Sequence, residues 1–458
     1  MRGEEARKLD QIVSKAMEKS GAPGVSLATI EEGEVTYARG FGARDLERNL
    51  PTTPNTLIGI GSCTKSYTCL AAMMLVQEGA LTLDTPIRDL LPVDLGFRDS
   101  PITVKHLMSH SSGLPSLGMA NVLIEKESLG GHTLPLTSAE DFYSFLNGAS
   151  QHVESRPGES YYYYCNAAYT LLGLLVEKLF GATLEEVFRS RIWEPLDMRR
   201  TTMLQEQFQS DPDHMTAYYL KEGKPVKSRH PFHPLIYAPG GILSSALESC
   251  NYLNMYLGNR EPLVDEDLLA QMVMIHTPRP PTDLGIGGYG YGWGITEFCG
   301  ETMVTHTGST LVSGANYLFF PHHNKGVVYL TNAGYWGSTV PHAAAALLLG
   351  LDPEEAIPYI RRANFYETLA GTYKAYRDTF AVEVAVQGGM LTLTPRTPLG
   401  GPTTPLIPAT RDPLETEFYI HGGELGPQRV WFQTGEKEYK LYMERWVLRK
   451  PLSPTWQA

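Results

Sequence analysis

Apolar residues recur near the N-terminus at Leu9, Ile12, Val13 and Met17, the spacing of one helical face, and predict an amphipathic helix over Ala6–Lys19. The period then changes. GVSLATIEEGEVTYARGFG (24–42) holds two strand-like runs around Glu-Glu-Gly, which predicts a β-hairpin. From Thr64 to Glu78 apolar residues occupy nearly every face, so a buried central helix is expected, stopped by Gly79. PITVKHLMSHSSGL (101–114) reads as a short helix ending in a Ser-Ser-Gly turn, and AAYTLLGLLVEKLFG (167–181) as a second apolar helix closed by glycine. Residues 237–257 read as a Gly-rich turn followed by a helix.

Between 285 and 334 short aromatic and β-branched runs are broken by Gly, Pro and Asn, the pattern of antiparallel strands. A helix of small residues, HAAAALLLG (342–350), follows, and LDPEEAIPYIRR (351–362) reads as a connector. From Phe365 onward strand-like runs alternate with Gly/Pro-rich turns, as in a small β-barrel or sandwich. The pattern therefore predicts an α/β domain, an antiparallel sheet flanked by helices with an all-helical region, and then a separate antiparallel β domain.

Composition narrows the function classes. The 458 residues are 42 % hydrophobic and 19 % charged, ordinary for a globular chain. No apolar run approaches the roughly 18 residues of a membrane span, and no N-terminal apolar segment reads as a signal peptide. The net charge of −12 argues against nucleic acid as a partner. Residues 363–458 balance ten basic against ten acidic residues, so the whole deficit lies in 1–362. Cys63, Cys69, Cys165, Cys250 and Cys299 are odd in number and widely spaced, which suggests free thiols and a cytoplasmic location.

The chemistry begins at Ser62-Cys63-Thr64-Lys65. Residues three apart share a helix face, so Lys65 can reach the Ser62 oxygen. A hydroxyl needs such a base, and lysine serves when burial depresses its pKa. At a helix N-terminus Ser62 also meets free backbone N–H groups. Alone, S-x-x-K recurs by chance. Tyr164 and Asn166, just before a strong helix, add a phenol able to pass protons if a nearby cation lowers its pKa, and an amide able to contact both substrate and Lys65. Tyr161, Tyr162 and Tyr163 read as aromatic packing on the core. His306-Thr307-Gly308-Ser309 opens a predicted strand where glycine admits a close backbone and Ser309 can supply an N–H; the alternative for His306 is a structural histidine. His106/His110 and His322/His323 form no H-E-x-x-H, so no metal is expected.

The ordered set S-x-x-K, Y-x-N and H-T-G resembles the serine β-lactamase and penicillin-binding-protein superfamily, in its class C-like branch. HLMSHSSGL (106–114), PGGILSSA (239–246) and YGYGWGI (289–295) match it too. The resemblance implies a β-lactamase-like α/β domain over 1–355, with Ser62 as acylated nucleophile, Lys65 as its base and Tyr164 as proton relay. Asn166 would contact the substrate amide. His306, Thr307 and Gly308 would line the far wall, and the Ser62 and Ser309 N–H groups would form an oxyanion hole. No cofactor is implied. His306 stands where class C enzymes have lysine, as on the DD-peptidase and D-aminopeptidase side, which points to small or D-residue peptides rather than β-lactams. A carboxylesterase and a peptide-binding sensor that acylates without turnover are the rivals. Residues 363–458 resemble the lipocalin-like barrel of some related peptidases, including an archaeal one that assembles as an octamer, so a homo-oligomer is also implied.

Overall fold

The computed structural model describes residues 1, 3–131, 134–159, 161–334, 337–421 and 426–452. The N-terminal helix runs Glu4–Ser20, and the hairpin follows as Gly24–Glu31 and Glu34–Asp45. Glu32 and Gly33 join the strands with φ of 50° and 82°, the mirror-image turn whose twist matches a hairpin. Gly24–Glu31 also pairs with Lys325–Thr331, so the hairpin completes a sheet built mainly from later residues. That sheet has nine antiparallel strands in the spatial order Thr277–Thr282, Gly285–Tyr289, Gly294–Phe298, Glu301–Ser309, Gly314–Phe320, Lys325–Thr331, Gly24–Glu31, Glu34–Asp45 and Leu50–Pro51.

Gly314–Phe320 is buried along its whole length, as is nearly all of Lys325–Thr331, because helices cover both faces. Glu4–Ser20 and Thr339–Leu348 pack together, the latter on the central strands, and Ala246–Tyr256 packs against Gly24–Glu31 and Lys325–Thr331. Ala28, Ile30, Val328 and Leu330, alternating along their strands, join the core that continues into the helical region. There the helix Thr64–Gln77 is buried from Thr64 through Leu75, with Asn166–Phe180 and Pro234–Gly240 against it. Burial on every side explains why its apolar residues form no single stripe. Each fully buried Leu or Met there contributes about 1.5–3 kcal/mol. Residues 237–240 end a helix rather than forming a turn, and the second helix starts at Ala246, capped by the Ser245 side chain. Among the described residues no single helix is long and apolar enough to cross a membrane.

Met1–Gly350 forms one compact unit and Leu351–Ala458 another. The expected connector is helical: Pro353–Ala356 is capped by the Asp352 side chain, and Pro358–Leu369 follows. Both prolines stand at the first helical position, where the missing N–H is no loss and the fixed φ suits the helix. Nine antiparallel strands then run in the order Thr404–Pro405, Met390–Pro395, Ala381–Gln387, Gly371–Lys374, Trp446–Pro451, Glu438–Met443, Pro427–Gln433, Glu417–His421 and Ile407–Pro408. The first and last are separated only by Leu406, so the sheet curls into a nearly closed barrel. Alternate residues such as Val382 and Val384, Leu391 and Leu393, and Val430 and Phe432 fill its interior, together with Tyr366 and Leu369 from the preceding helix. Gly422, Gly423 and 453–458 lie outside the described residues.

Candidate active site

Ser62 lies in a tight turn, Gly61–Cys63, that leads into the helix Thr64–Gln77. It sits in a cleft of about 780 Å³, shared with Tyr164, Asn166, His306, Thr307 and Ser309. Lys65 is fully buried one helical turn on. Its Nζ donates to Ser62 Oγ at 3.0 Å, to Asn166 Oδ1 at 2.7 Å and to the Pro239 carbonyl at 2.8 Å. These three bonds use every donor of an ammonium group. If one proton leaves, the two remaining N–H groups can stay on Asn166 and Pro239 while the lone pair faces Ser62. Burial pulls the Lys65 pKa down to about 7, so a neutral fraction exists at ordinary pH.

The turn and the strand Glu301–Ser309 meet backbone to backbone. A Cβ on Gly308 would stand 1.9 Å from the Ile60 carbonyl oxygen and 2.8 Å from Ser62 N. A Cβ on Gly61, where φ is +49°, would stand 2.5 Å from Ser309 N. Only glycine fits either position, and their closeness brings the Ser62 and Ser309 N–H groups to one seam. The buried Cys63 thiol adds a bond to the His306 carbonyl at 3.1 Å, which ties the turn to the strand.

Asn166 opens the helix Asn166–Phe180. With its oxygen on Lys65, its NH₂ group is the end left to a substrate carbonyl. Tyr164 packs its ring 4.7 Å from Lys65 Nζ, and its hydroxyl interacts with the Ser62 side chain. Burial pushes the Tyr164 pKa up, not down, and the Ser62 bond only moderates this. The expectation of a low-titrating phenol is therefore corrected: Tyr164 holds its proton, and Lys65 is the group with a neutral fraction. His110 supports Tyr164 from behind. Cys165 N–H donates to His110 Nδ1 at 3.1 Å, Tyr163 N–H donates to the His110 carbonyl at 3.0 Å, and the His110 and Tyr164 rings are 4.4 Å apart. His110 itself takes a φ of 59° to do this.

His306 is buried, and both ring nitrogens are engaged within the protein. Nδ1 lies 2.7 Å from the Thr307 carbonyl, which can only accept, so Nδ1 carries the proton; Nε2 then accepts from the Tyr289 hydroxyl at 2.9 Å. Burial, with the Lys65 charge, holds its pKa down to about 3. The ring is neutral at pH 7. Thr307 is exposed toward the cleft and Gly308 is buried beneath it.

Sequence reasoning missed several participants. The Pro239 carbonyl carries no side-chain signal at all. Tyr161 is exposed and Tyr162 lines the cleft, so neither is the core packing expected of it. Tyr162 instead lies under the guanidinium of Arg279, 5.0 Å from ring centre. A separate cavity of about 330 Å³, lined in part by Phe208, His214, His230 and Phe232, holds none of the serine–lysine machinery. Among the described residues no three His, Cys, Asp or Glu side chains converge as a metal site.

A family model described as β-lactamase matches residues 9–352, and one described as the Pab87 octamerisation domain matches residues 353–449. The solved structure of an octameric penicillin-binding protein homologue from Pyrococcus abyssi is 35 % identical, covers 97 % of this chain and 100 % of its own, and has a TM-score of 0.91. A class C β-lactamase shares the fold at 18 % identity and a TM-score of 0.61, over 75 % of this chain and 96 % of that one. Protein flp of Staphylococcus aureus (strain MW2) is 24 % identical over 392 residues, 84 % of this chain and 73 % of its own. The chain belongs to the β-lactamase family, whose members are serine hydrolases.

Proposed function

We propose that this chain hydrolyses amide bonds of small or D-residue-containing peptides through an acyl-enzyme on Ser62. The observation that carries the reading is the three-way bonding of buried Lys65, which aims a lone pair at Ser62 Oγ once one proton is lost. Neutral Lys65 takes the hydroxyl proton as Oγ attacks the substrate carbonyl. The developing oxyanion meets the Ser62 and Ser309 N–H groups at the glycine seam, and Asn166 holds the substrate amide. Protonated Tyr164 hands its proton to the leaving nitrogen and is reloaded from Lys65. Water then enters, and the same groups release the acyl group. His306, held neutral by burial, stands at the wall position where class C enzymes carry lysine, a departure that supports peptides over β-lactams. The octamerisation-domain match and the octameric relative support a homo-oligomer.

Fluorophosphonate treatment is expected to leave one adduct, on Ser62, located by peptide mass spectrometry; an adduct elsewhere, or none, overturns the mechanism. A screen of peptides and esters, D-residues included, run beside Ser62→Ala, tests the substrate class. Turnover confined to esters would make the chain a carboxylesterase, and acylation without release would make it a sensor.

A further inference from the structure

The cavity of about 330 Å³ lies in the same unit as the Ser62 cleft and shares none of its lining residues. Its volume is that of a small-molecule site. The walls come from the helix Gln205–Ser210 and from the segments 214–217 and 227–232. Four rings gather there. The Phe208 centroid is 5.0 Å from His214, 5.9 Å from Phe232 and 6.1 Å from His230, and His230 meets Phe232 edge to face at 4.9 Å. Backbone bonds hold this wall in place: Leu57 N–H donates to the Asp213 carbonyl at 2.8 Å, and Met215 N–H donates to the Leu57 carbonyl at 3.0 Å.

Packing alone does not account for His230. It is buried, and neither ring nitrogen has a hydrogen-bond partner among the described residues. One edge of the ring faces Gly59, where an added Cβ would stand 2.4 Å from Cε1 and 3.0 Å from Nδ1, so glycine makes the room for it. Burial pulls the His230 pKa down to about 3, so the ring is neutral and keeps one N–H donor and one acceptor nitrogen. His233, three residues on, shows the ordinary arrangement: Nε2 bonds the Leu136 carbonyl and Nδ1 accepts from Leu235 N–H. Buried polar groups are nearly always partnered in this way, and leaving them unmade is costly. His214 adds an acceptor to the same wall. Its Nδ1 faces the Asp211 carbonyl, which can only accept, so Nδ1 carries the proton and Nε2 the lone pair.

Aromatic walls suit an aromatic ring, and neutral imidazole nitrogens suit a polar hydrogen. We propose that this cavity is a second ligand site, separate from the Ser62 cleft, for an aromatic ring that carries an N–H or phenolic O–H and donates it to His230. The proposal does not rest on the peptide reading of the Ser62 site.

The test is ligand-observed NMR titration of the full chain with indole, N-methylindole and N-acetyltryptophanamide. Indole is expected to bind about three- to tenfold more tightly than N-methylindole, which lacks the polar hydrogen. His230→Leu should bring that ratio close to one. Gln205→Trp, which fills the mouth of the cavity from its exposed rim, should abolish binding of both, and it keeps the test open if His230→Leu does not fold. Leu284→Trp, on the rim of the Ser62 cleft, should leave indole binding unchanged. Tighter binding of N-acetyltryptophanamide than of indole would support a peptide side chain as the natural ring, and the reverse a free molecule. No saturable binding of indole, equal affinity for indole and N-methylindole, loss of binding in Leu284→Trp, or affinities untouched by both cavity variants overturns the proposal.

Discussion

The catalytic unit and the barrel unit bury different kinds of residue. The barrel interior is apolar, with Tyr366, Tyr373, Phe418 and Phe432 among aliphatic residues, and Thr392 is its buried polar residue among those described. The catalytic unit buries Lys65, His110, His230, His306 and His342 together with many serines and threonines. Apolar packing stabilises a fold outright, whereas each buried polar group must find partners or lose stability. The catalytic unit thus buries titratable groups, and the barrel interior is packed with apolar ones. Substitutions and pH should separate the two.

The largest effect is expected from Lys65→Met, which should lower kcat/KM by about 10⁴-fold, roughly 5 kcal/mol of barrier. Measured on the best substrate of the screen, a loss under tenfold would show that another group is the base. In the unaltered protein kcat/KM should rise about tenfold per pH unit on the acid side and level off near pH 7, because Lys65 must lose its proton to act. Phe418→Ala should cost the barrel unit about 3–4 kcal/mol, read as faster hydrogen exchange in peptides from 371–451. Fluorophosphonate labelling of Ser62 should keep its rate; a parallel fall would break the division between the units.

Acid should distinguish them next. His306 and His230 have folded pKa values of about 3 and His342 of about 4, all lowered by burial. The unfolded chain takes up protons at these sites below about pH 6.5 while the folded chain does not. Their stability contribution is therefore full above that pH and is lost as pH falls toward 3–4. Between pH 6.5 and 5 each of these histidines should cost the catalytic unit about 1.6 kcal/mol, roughly 5 kcal/mol for the three, seen in peptide-resolved hydrogen exchange corrected for intrinsic rates. The barrel, which buries no histidine among its described residues, should be left nearly unchanged. Gly308→Ala should cost about 1–3 kcal/mol of overpacking and slow the acylation of Ser62 by pushing the turn off the strand. Acylation at the unaltered rate would show that the seam can yield.

Much of the candidate site was legible because its spacing is local. Ser62 with Lys65, and Tyr164 with Asn166, are neighbours in sequence that one helix turn or one helix start brings into register, and the structure gathers them with His306 to Ser309 around one cleft. The antiparallel sheet and the barrel were legible as strand-length runs between turn residues. What sequence hid are contacts made through space or through backbone. The Pro239 carbonyl reaches Lys65 from 174 positions away with no side chain to mark it. Tyr162 pairs with Arg279, and His110 grips the amides on both sides of Tyr164, only because separate elements converge. The direction of the Tyr164 shift was misread because burial outweighs a nearby cation, and burial is a property of the fold. The connector segment is helical at Pro353–Ala356 and Pro358–Leu369 because each proline stands at the first helical position, where it starts a helix.

The seam between Gly61 and Gly308 also bears on how such a chain can change over generations. Its two N–H groups belong to the backbone, so they are indifferent to the mutations that remodel the cleft rim. Substitution at lining positions such as Arg279, Tyr162 and Leu284 leaves the backbone N–H groups of Ser62 and Ser309 in the chain. The constraint collects instead at two codons that must keep specifying the smallest residue.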